Sequence, residues 1–305
     1  MRYTHVDVFT GRPYSGNSLA VFPEAQGLTG ERMLSITREL RHFESVFLTR
    51  DPARPRTHRA RVFDLAGELD FAGHPLLGAA GVLHDLHDLH APDAPDAADG
   101  GPADRVTWTL RLRSRRVEAV TRRIGPRRYE GVLDQGPARF TRHPHGPDGA
   151  TRAAIASWFS LDADDLDPAL PPETVSTGLR YLIVPVRGDA LARARVATPL
   201  DAPLARLGAA YAYLLDVTAM EGRHWTNDGL LEDTATGSGA GCAAAYLRRH
   251  GRLGDGERAV LRQGRFTGRP SEMTISAHGH GTHVRTVKVG GGVVIVGEGR
   301  LAELP

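Results

Sequence analysis

The 305-residue chain has one cysteine, Cys242, and one lysine, Lys288. A single thiol excludes an intrachain disulfide and a cysteine-rich zinc site. It also excludes a racemase working with a pair of thiols, and its Ala-rich helical setting points to a buried, inert group. The remaining cationic side chains are arginines, scattered among nearly as many acids, and the net charge is +2. No polyanion-binding face follows from that balance, so no nucleic-acid partner is expected. Scarce lysine beside abundant Ala, Gly and Pro reads as the codon bias of a high-GC genome. No apolar run reaches the roughly 18 residues of a spanning helix, so no membrane partner is expected. The first residues, "MRYTHVDVFTGRPYSGNS", have no apolar core of signal-peptide length, and the expected location is cytoplasmic. There is no G-x-S-x-G elbow, no HExxH and no Gly-Lys-Ser/Thr phosphate loop.

Hydrophobic content of 41% and charged content of 24% suit a globular protein with a real core. "YTHVDVFT" and "NSLAVF" read as strands around a Gly/Pro/Asn turn. "LTGERMLSITRELRHF" reads as a helix capped by Thr29, with Met33, Ile36 and Leu40 at helical spacing. "ESVFL" and "RARVFDL" read as strands. "GHPLLGAAGVLHDLHDL" reads as a helix with Pro75 in its first turn. Residues 91–104 are low-complexity and polar and read as a surface loop. "RVTWTLRLRS", "RRVEAVTRR" and "RRYEGVLDQ" read as a strand meander. The pattern then restarts: the helix "TRAAIASWFSL", the strand "RYLIVPV", a short helix at 201–207 and the strand "AYAYLLDV". "LLEDTATGSGAGCAAAYLRRHG" and the strands "RAVLRQG", "EMTISA", "HVRTVKV" and "GVVIV" complete it. The division expected is residues 1–135 and 136–305.

Offset by 164 residues, "GHPLLGAAGVL" lies over "GSGAGCAAAYL". Gly, Ala, Ala and the final Leu match, and His74 falls on Ser238. Acids precede each segment: Glu68 and Asp70 in one, Glu232 and Asp233 in the other. The placement at corresponding points favours an internal duplication.

Gly239-x-Gly241-x-x-Ala244 formally fits a dinucleotide fingerprint, but no strand runs directly into its first glycine, so no nucleotide cofactor is expected. Two readings remain for these glycines: tight helix packing, and room for an anion at a helix start where N–H groups lack internal partners. Glu44 lies between a helix and a strand beside Phe43, Val46 and Phe47. Apolar surroundings would raise its pKa toward the range useful for proton transfer, while a solvated helix-end glutamate is the plain alternative. Asp233 could cap the next helix, His74 could be a core histidine and Asn17 could be a turn residue. His84, His87 and His90 recur every three residues. A metal site there lacks a supporting carboxylate pattern, and a solvated helix end is favoured.

Taken in order, "VDVFTGRPYSGNSLAVF", "FESVFL", "ELDFAGHPLLGAA", "EDTATGSGAGCAAAYL", "RQGRFTGRPSEM" and "VKVGGGVVIVGEG" resemble the PhzF-like isomerases of phenazine biosynthesis, relatives of diaminopimelate epimerase in fold. The resemblance implies an α+β fold of two pseudo-symmetric halves, each a mostly antiparallel sheet or barrel around a central helix, with the site between them. It implies catalytic roles for Glu44, His74, Asp233 and Ser238, no cofactor, no metal and a homodimer. Backbone N–H groups of Gly73 and Gly237 would receive a substrate carboxylate, and Asn17 would line the pocket. The chain departs from the family pattern at Phe43, at Asp64-Leu65-Ala66, at Thr234 and in the length following His90, so the phenazine precursor itself is not implied. The expectation is a cofactor-independent isomerase moving a proton on a small cyclic unsaturated amino or carboxylic acid. The alternatives are an amino-acid epimerase of the same fold and a non-catalytic carboxylate-binding relative.

Overall fold

A computed structural model describes residues 1–90, 105–141 and 152–305, so the loop expected at 91–104 falls outside the described residues. Two compact units emerge. The first comprises Met1–Asp134 with Gly290–Pro305, the second Gln135–Val289.

The first unit contains β1 (Arg2–Val8), β2 (Asn17–Phe22), α1 (Gly30–Leu40), β3 (Glu44–Arg50), β4 (Thr57–Asp64) and β5 (Glu68–Leu69). It continues with α2 (Gly73–His90), β6 (Arg105–Arg111), β7 (Arg116–Gly125) and β8 (Arg128–Gly136), whose last two residues enter the second unit. The second unit contains β9 (Arg139–Phe140), α3 (Arg152–Ser157), β10 (Glu173–Ser176), β11 (Arg180–Val186), α4 (Ala190–Arg193), α5 (Asp201–Arg206) and β12 (Tyr211–Asp216). Then come β13 (Glu221–Trp225), β14 (Glu232–Asp233), α6 (Gly237–Arg249), β15 (Ala259–Gln263), β16 (Ser271–His280) and β17 (His283–Arg300), which passes into the first unit at Gly290. The two strands expected at "HVRTVKV" and "GVVIV" are one continuous strand, because the glycines between them keep an extended backbone. β13 was not foreseen: "EGRHW" has little apolar alternation, although all five residues are buried.

Both units have one pairing plan. β1 runs antiparallel to β2, β2 parallel to β3, β3 antiparallel to β4, and β4 antiparallel to β5 and parallel to β6, which pairs antiparallel with β7. β10, β11, β12, β13, β14, β15 and β16 repeat every step with the same sense. The parallel steps need crossovers. α1 and α2 lie in the two crossovers of the first unit, and α4 with α5, then α6, in those of the second.

Thr29 caps α1 by accepting from the Arg32 N–H, as its position in the sequence suggests. Met33 and Ile36 of α1 pack on Ala20, Phe22, Phe47 and Phe63. Phe22 and Phe47 stack at 4.6 Å, and Phe63 meets Phe47 edge-on at 5.7 Å. In the second unit Phe159, Leu191 and Leu204 pack on Leu182, Val184, Leu214 and Trp225.

α2 and α6 are core elements of their units. Leu76, Leu77, Ala79 and Ala80 are fully buried, and every residue from Gly237 to Leu247 is buried. Such helices need small residues wherever a strand crosses closely. A Cβ at Gly78 would come within 2.5 Å of Leu19, one at Gly81 within 2.6 Å of Val293, and one at Gly239 within 2.6 Å of Tyr213. A Cβ at Gly241 would collide with the Gln135 amide. Gly239 and Gly241 are therefore packing glycines, and the anion reading does not apply to them. The histidine run also differs from its expected solvated state. His84 is 3% exposed, its Nδ1 lies 2.9 Å from Thr121 Oγ1, and its ring contacts Tyr129. The helix end is amphipathic there: His84 faces the sheet while the His87 side chain is 46% exposed.

His58 on β4 is also buried, and burial, helped by Arg50, pushes its pKa down to about 4. The folded state thus excludes a proton that the unfolded chain binds below about pH 6.5. Stability from this site is present above pH 6.5 and lost as pH falls toward 4. Urea titrations at pH 7 and pH 4.5 should show a smaller stability loss in His58→Leu than in the parent chain, by roughly 1–3 kcal/mol.

Candidate active site

In the first unit three expected residues come together. Arg41 ends α1 in a left-handed conformation, φ 55°, and the chain enters β3 at Glu44. Glu44 pairs with Leu19 on one side and Asp64 on the other, so its backbone is held by two neighbouring strands. Asn17 opens β2 directly after Gly16, whose φ of +69° and contact with the Val8 carbonyl leave no room for a Cβ. His74 is the second residue of α2. Glu44, His74 and Asn17 are 8%, 3% and 3% exposed, which excludes a solvated helix-end glutamate.

His74 Nδ1 lies 3.2 Å from Glu44 Oε2 and 3.3 Å from Asn17 Nδ2. The ring nitrogen carries either a proton or a lone pair. With the proton, it favours an ionised Glu44 but turns a donor toward the Asn17 amide. With the lone pair, it accepts from Asn17 Nδ2, the contact that has hydrogen-bond geometry, while Glu44 Oε2 remains at ion-pair distance. A carboxyl that can hold or release a proton against a fixed imidazole is suited to general acid–base work.

Ser18, the residue after Asn17, binds a different pair. Its hydroxyl lies 2.8 Å from His5 Nε2 and 3.0 Å from His42 Nδ1. That chain ties the loop before Glu44 to β2 and was not foreseen.

In the second unit Asp233 ends β14 and Ser238 is the second residue of α6, the place His74 has in α2. Asp233 accepts from Thr236 Oγ1 at 2.6 Å and from the Ala235 N–H at 3.4 Å, so it shapes the turn into the helix. Two buried glutamines hold the same turn. Gln263 accepts from Tyr213 at 3.0 Å and the Thr236 N–H at 3.1 Å, and donates to the Asp233 carbonyl at 2.8 Å and Thr236 Oγ1 at 3.0 Å. Gln135 donates to the Gly237 carbonyl at 2.9 Å and accepts from Thr177 at 2.7 Å.

Ser238 Oγ lies 2.8 Å from the Tyr181 hydroxyl, and Tyr181 contacts the rings of Tyr211 and His224. Burial pushes the Tyr181 pKa well above the ordinary phenol value, partly offset by the Ser238 bond. Burial lowers the pKa of His224, with the Asp233 carboxylate opposing, and its Nδ1 lies 2.8 Å from the Ala212 carbonyl. Cys242 is fully buried and its thiol is pushed up to about 12, chiefly by burial, which keeps it protonated. Among the described residues no cluster of three or more His, Cys, Asp or Glu side chains could hold a metal ion.

The strand before each helix is pinned by the same device. Arg61 makes a two-pronged bond to Glu68 at 2.8 and 2.6 Å, and Arg223 to Glu232 at 2.9 and 2.6 Å. Arg61 also lies over Phe63 and Arg223 over Trp225. The acid match is therefore Glu68 with Glu232. At the 164-residue offset Asp233 corresponds to Leu69, and Asp70 is an exposed residue with no acidic counterpart.

The chain matches the phenazine biosynthesis-like protein family over residues 6–299. The chain belongs to that family. A trans-2,3-dihydro-3-hydroxyanthranilate isomerase of Pseudomonas aeruginosa is 31% identical over 98% of both chains. The solved structure of a predicted epimerase from Pseudomonas aeruginosa is 45% identical with a TM-score of 0.87, covering 99% of each chain. A probable proline racemase from Agrobacterium radiobacter, solved with bound carbonate, shares the fold at TM-score 0.64 and 15% identity, covering 99% of this chain and 92% of its own. The α+β, diaminopimelate epimerase-like fold class is thus established. No helix among the described residues is long and apolar enough to cross a membrane.

The two forks differ in burial, and that difference can be measured. Arg223 and Glu232 side chains are 3% and 13% exposed, against 21% and 28% for Arg61 and Glu68. Glu232→Ala leaves a buried guanidinium without its carboxylate and should cost about 3–5 kcal/mol in urea unfolding. Glu68→Ala should cost under about 1 kcal/mol.

Proposed function

We propose that this family member is an isomerase that moves a proton between carbons of a small cyclic unsaturated amino or carboxylic acid, with Glu44 as general acid and base. The observation that carries this reading is the buried Glu44–His74 contact at 3.2 Å. Glu44 takes a proton from a weakly acidic carbon next to an unsaturated or carboxylated group. His74 Nδ1 steadies whichever form of Glu44 results, and Asn17 fixes the ring. The same carboxyl returns the proton to another carbon. No step is assigned to a cofactor or metal.

Gly73, Gly237 and Ser238 are assigned to substrate oxygens, because the first turn of a helix has no intrahelical partners for its N–H groups and neither helix carries an acid there. Asp233 is assigned a part in substrate binding through its negative charge, beside its bonds to the turn. The trans-2,3-dihydro-3-hydroxyanthranilate acted on by the Pseudomonas aeruginosa relative is the first substrate to test. A homodimer is proposed on the family resemblance.

One observation favours a second reading, epimerisation at a single carbon: the 45%-identical structure is described as a predicted epimerase. Incubation in D2O separates the two. Isomerisation places deuterium on a new carbon with movement of a double bond, whereas epimerisation places it at a stereocentre and leaves the double bonds unmoved.

Glu44→Gln retains size and hydrogen bonding but removes the base. It should lower the exchange rate by about 10²–10⁴-fold while circular dichroism stays unchanged. Normal turnover by that variant would remove Glu44 from the mechanism.

A further inference from the structure

We propose that Tyr181 is a positioning residue that commits the Ser238 hydroxyl to donating, so that the substrate group received at the start of α6 is an oxygen acceptor, in the charged case a carboxylate. This assignment rests on the reading of the protein as acting on a small carboxylic acid, and it identifies which end of that acid Ser238 receives.

The argument is an inventory of protons. Tyr181 is 3% exposed, and burial keeps its phenol protonated. Its O–H therefore needs an acceptor. Among the described residues, the hydroxyl bonds to Ser238 Oγ, at 2.8 Å. The rings of Tyr211 and His224 pack beside its own, with centroids 5.3 and 5.5 Å away. If Ser238 donated to Tyr181, the phenol proton would be stranded in a buried site, at a cost of about 1–3 kcal/mol. Tyr181 consequently donates and Ser238 Oγ accepts.

The serine proton is then the one left to place. Ser238 is the second residue of α6, so the residue four positions back lies before the helix and supplies no helical carbonyl to it. Ser238 is itself 5% exposed. Its proton is available to a bound acceptor alongside the N–H groups of the first turn. An ammonium group has only donors and would face donors there. Accepting from Tyr181 also polarises the serine O–H and strengthens its donation.

The first unit lacks this arrangement. Its equivalent helix residue is His74, and Leu19 stands in β2 against Glu44 as Tyr181 stands in β11 against Tyr211.

The test combines binding and stability. Isothermal titration is run with anthranilate and with 2-aminobenzamide, which keeps an acceptor oxygen and loses the charge. In Tyr181→Phe, anthranilate binding should weaken about three- to tenfold. The amide should weaken less, because bonds to charged oxygens are stronger. Unchanged or tighter anthranilate binding would overturn the donor assignment, tighter binding meaning that Ser238 had been donating to Tyr181. Equal weakening of both probes would reduce Tyr181 to a packing residue and also overturn it. Thermal unfolding tests the hydroxyl pair without any ligand. Ser238→Ala should lower Tm by leaving the phenol unpaired, and adding Tyr181→Phe should recover most of that loss. Absence of recovery would overturn the pairing. Recovery in a protein whose parent form binds neither probe would uphold the pairing and overturn the carboxylic-acid reading, and with it the role given to Ser238.

Discussion

A helix buried on every side constrains the rest of each unit. Water cannot reach the first turn of such a helix, so its N–H groups must be met by protein or by a ligand. α6 shows the constraint most clearly, with every residue from Gly237 to Leu247 buried. Small residues follow from it, since Tyr213 and Gln135 approach the helix where Gly239 and Gly241 stand. A rigid entry to the helix follows as well. Gln263, Gln135 and the Arg223–Glu232 fork fix the five residues before it, and no side chain of the N-cap residue Thr236 closes the helix end.

Duplication explains why the device occurs twice and divergence explains why the chemistry differs. The strand plan, the arginine fork and the Gly that opens the helix recur in both units. The residues proposed to carry chemistry do not recur. His74 stands where Ser238 stands, Leu69 where Asp233 stands, and Glu44 opens β3 where Tyr211 opens β12. One scaffold therefore holds a titratable pair in the first unit and a hydroxyl pair in the second.

Most of this scaffold was legible because its signals are local. Thr29 as a cap, the alternation of β6 to β8 and the glycine-started helices are all short-range patterns. The grouping of Glu44, His74 and Asn17 came from family resemblance rather than from spacing, since 30 residues separate Glu44 from His74. What escaped is the support of the site. Gln135, Gln263, Tyr181, His224 and Ser18 are polar residues on strands, and a strand sequence gives no sign of which polar residue faces inward when both faces are covered. The arginine forks escaped for a narrower reason. Arg61 and Arg223 are 162 residues apart whereas Glu68 and Glu232 are 164 apart, so an ungapped comparison aligns the acids and misses the bases.

The two units also differ in how firmly their protons are placed. Around α6 the donors and acceptors match in one way: Gln263 uses its oxygen on Tyr213 and Thr236 and its nitrogen on Asp233 and Thr236. Turning the amide over would set donor against donor. Networks of that kind specify a single structure and resist rearrangement. At Glu44 and His74 one ring nitrogen faces a carboxylate and an amide at nearly equal distances, 3.2 and 3.3 Å. A proton on that nitrogen suits the carboxylate and a lone pair suits the amide, so each state favours one neighbour over the other. A group whose two protonation states favour different neighbours is poised to change state, whereas the network around α6 admits one arrangement. One scaffold thus carries a rigid polar network in one unit and a titratable cluster in the other.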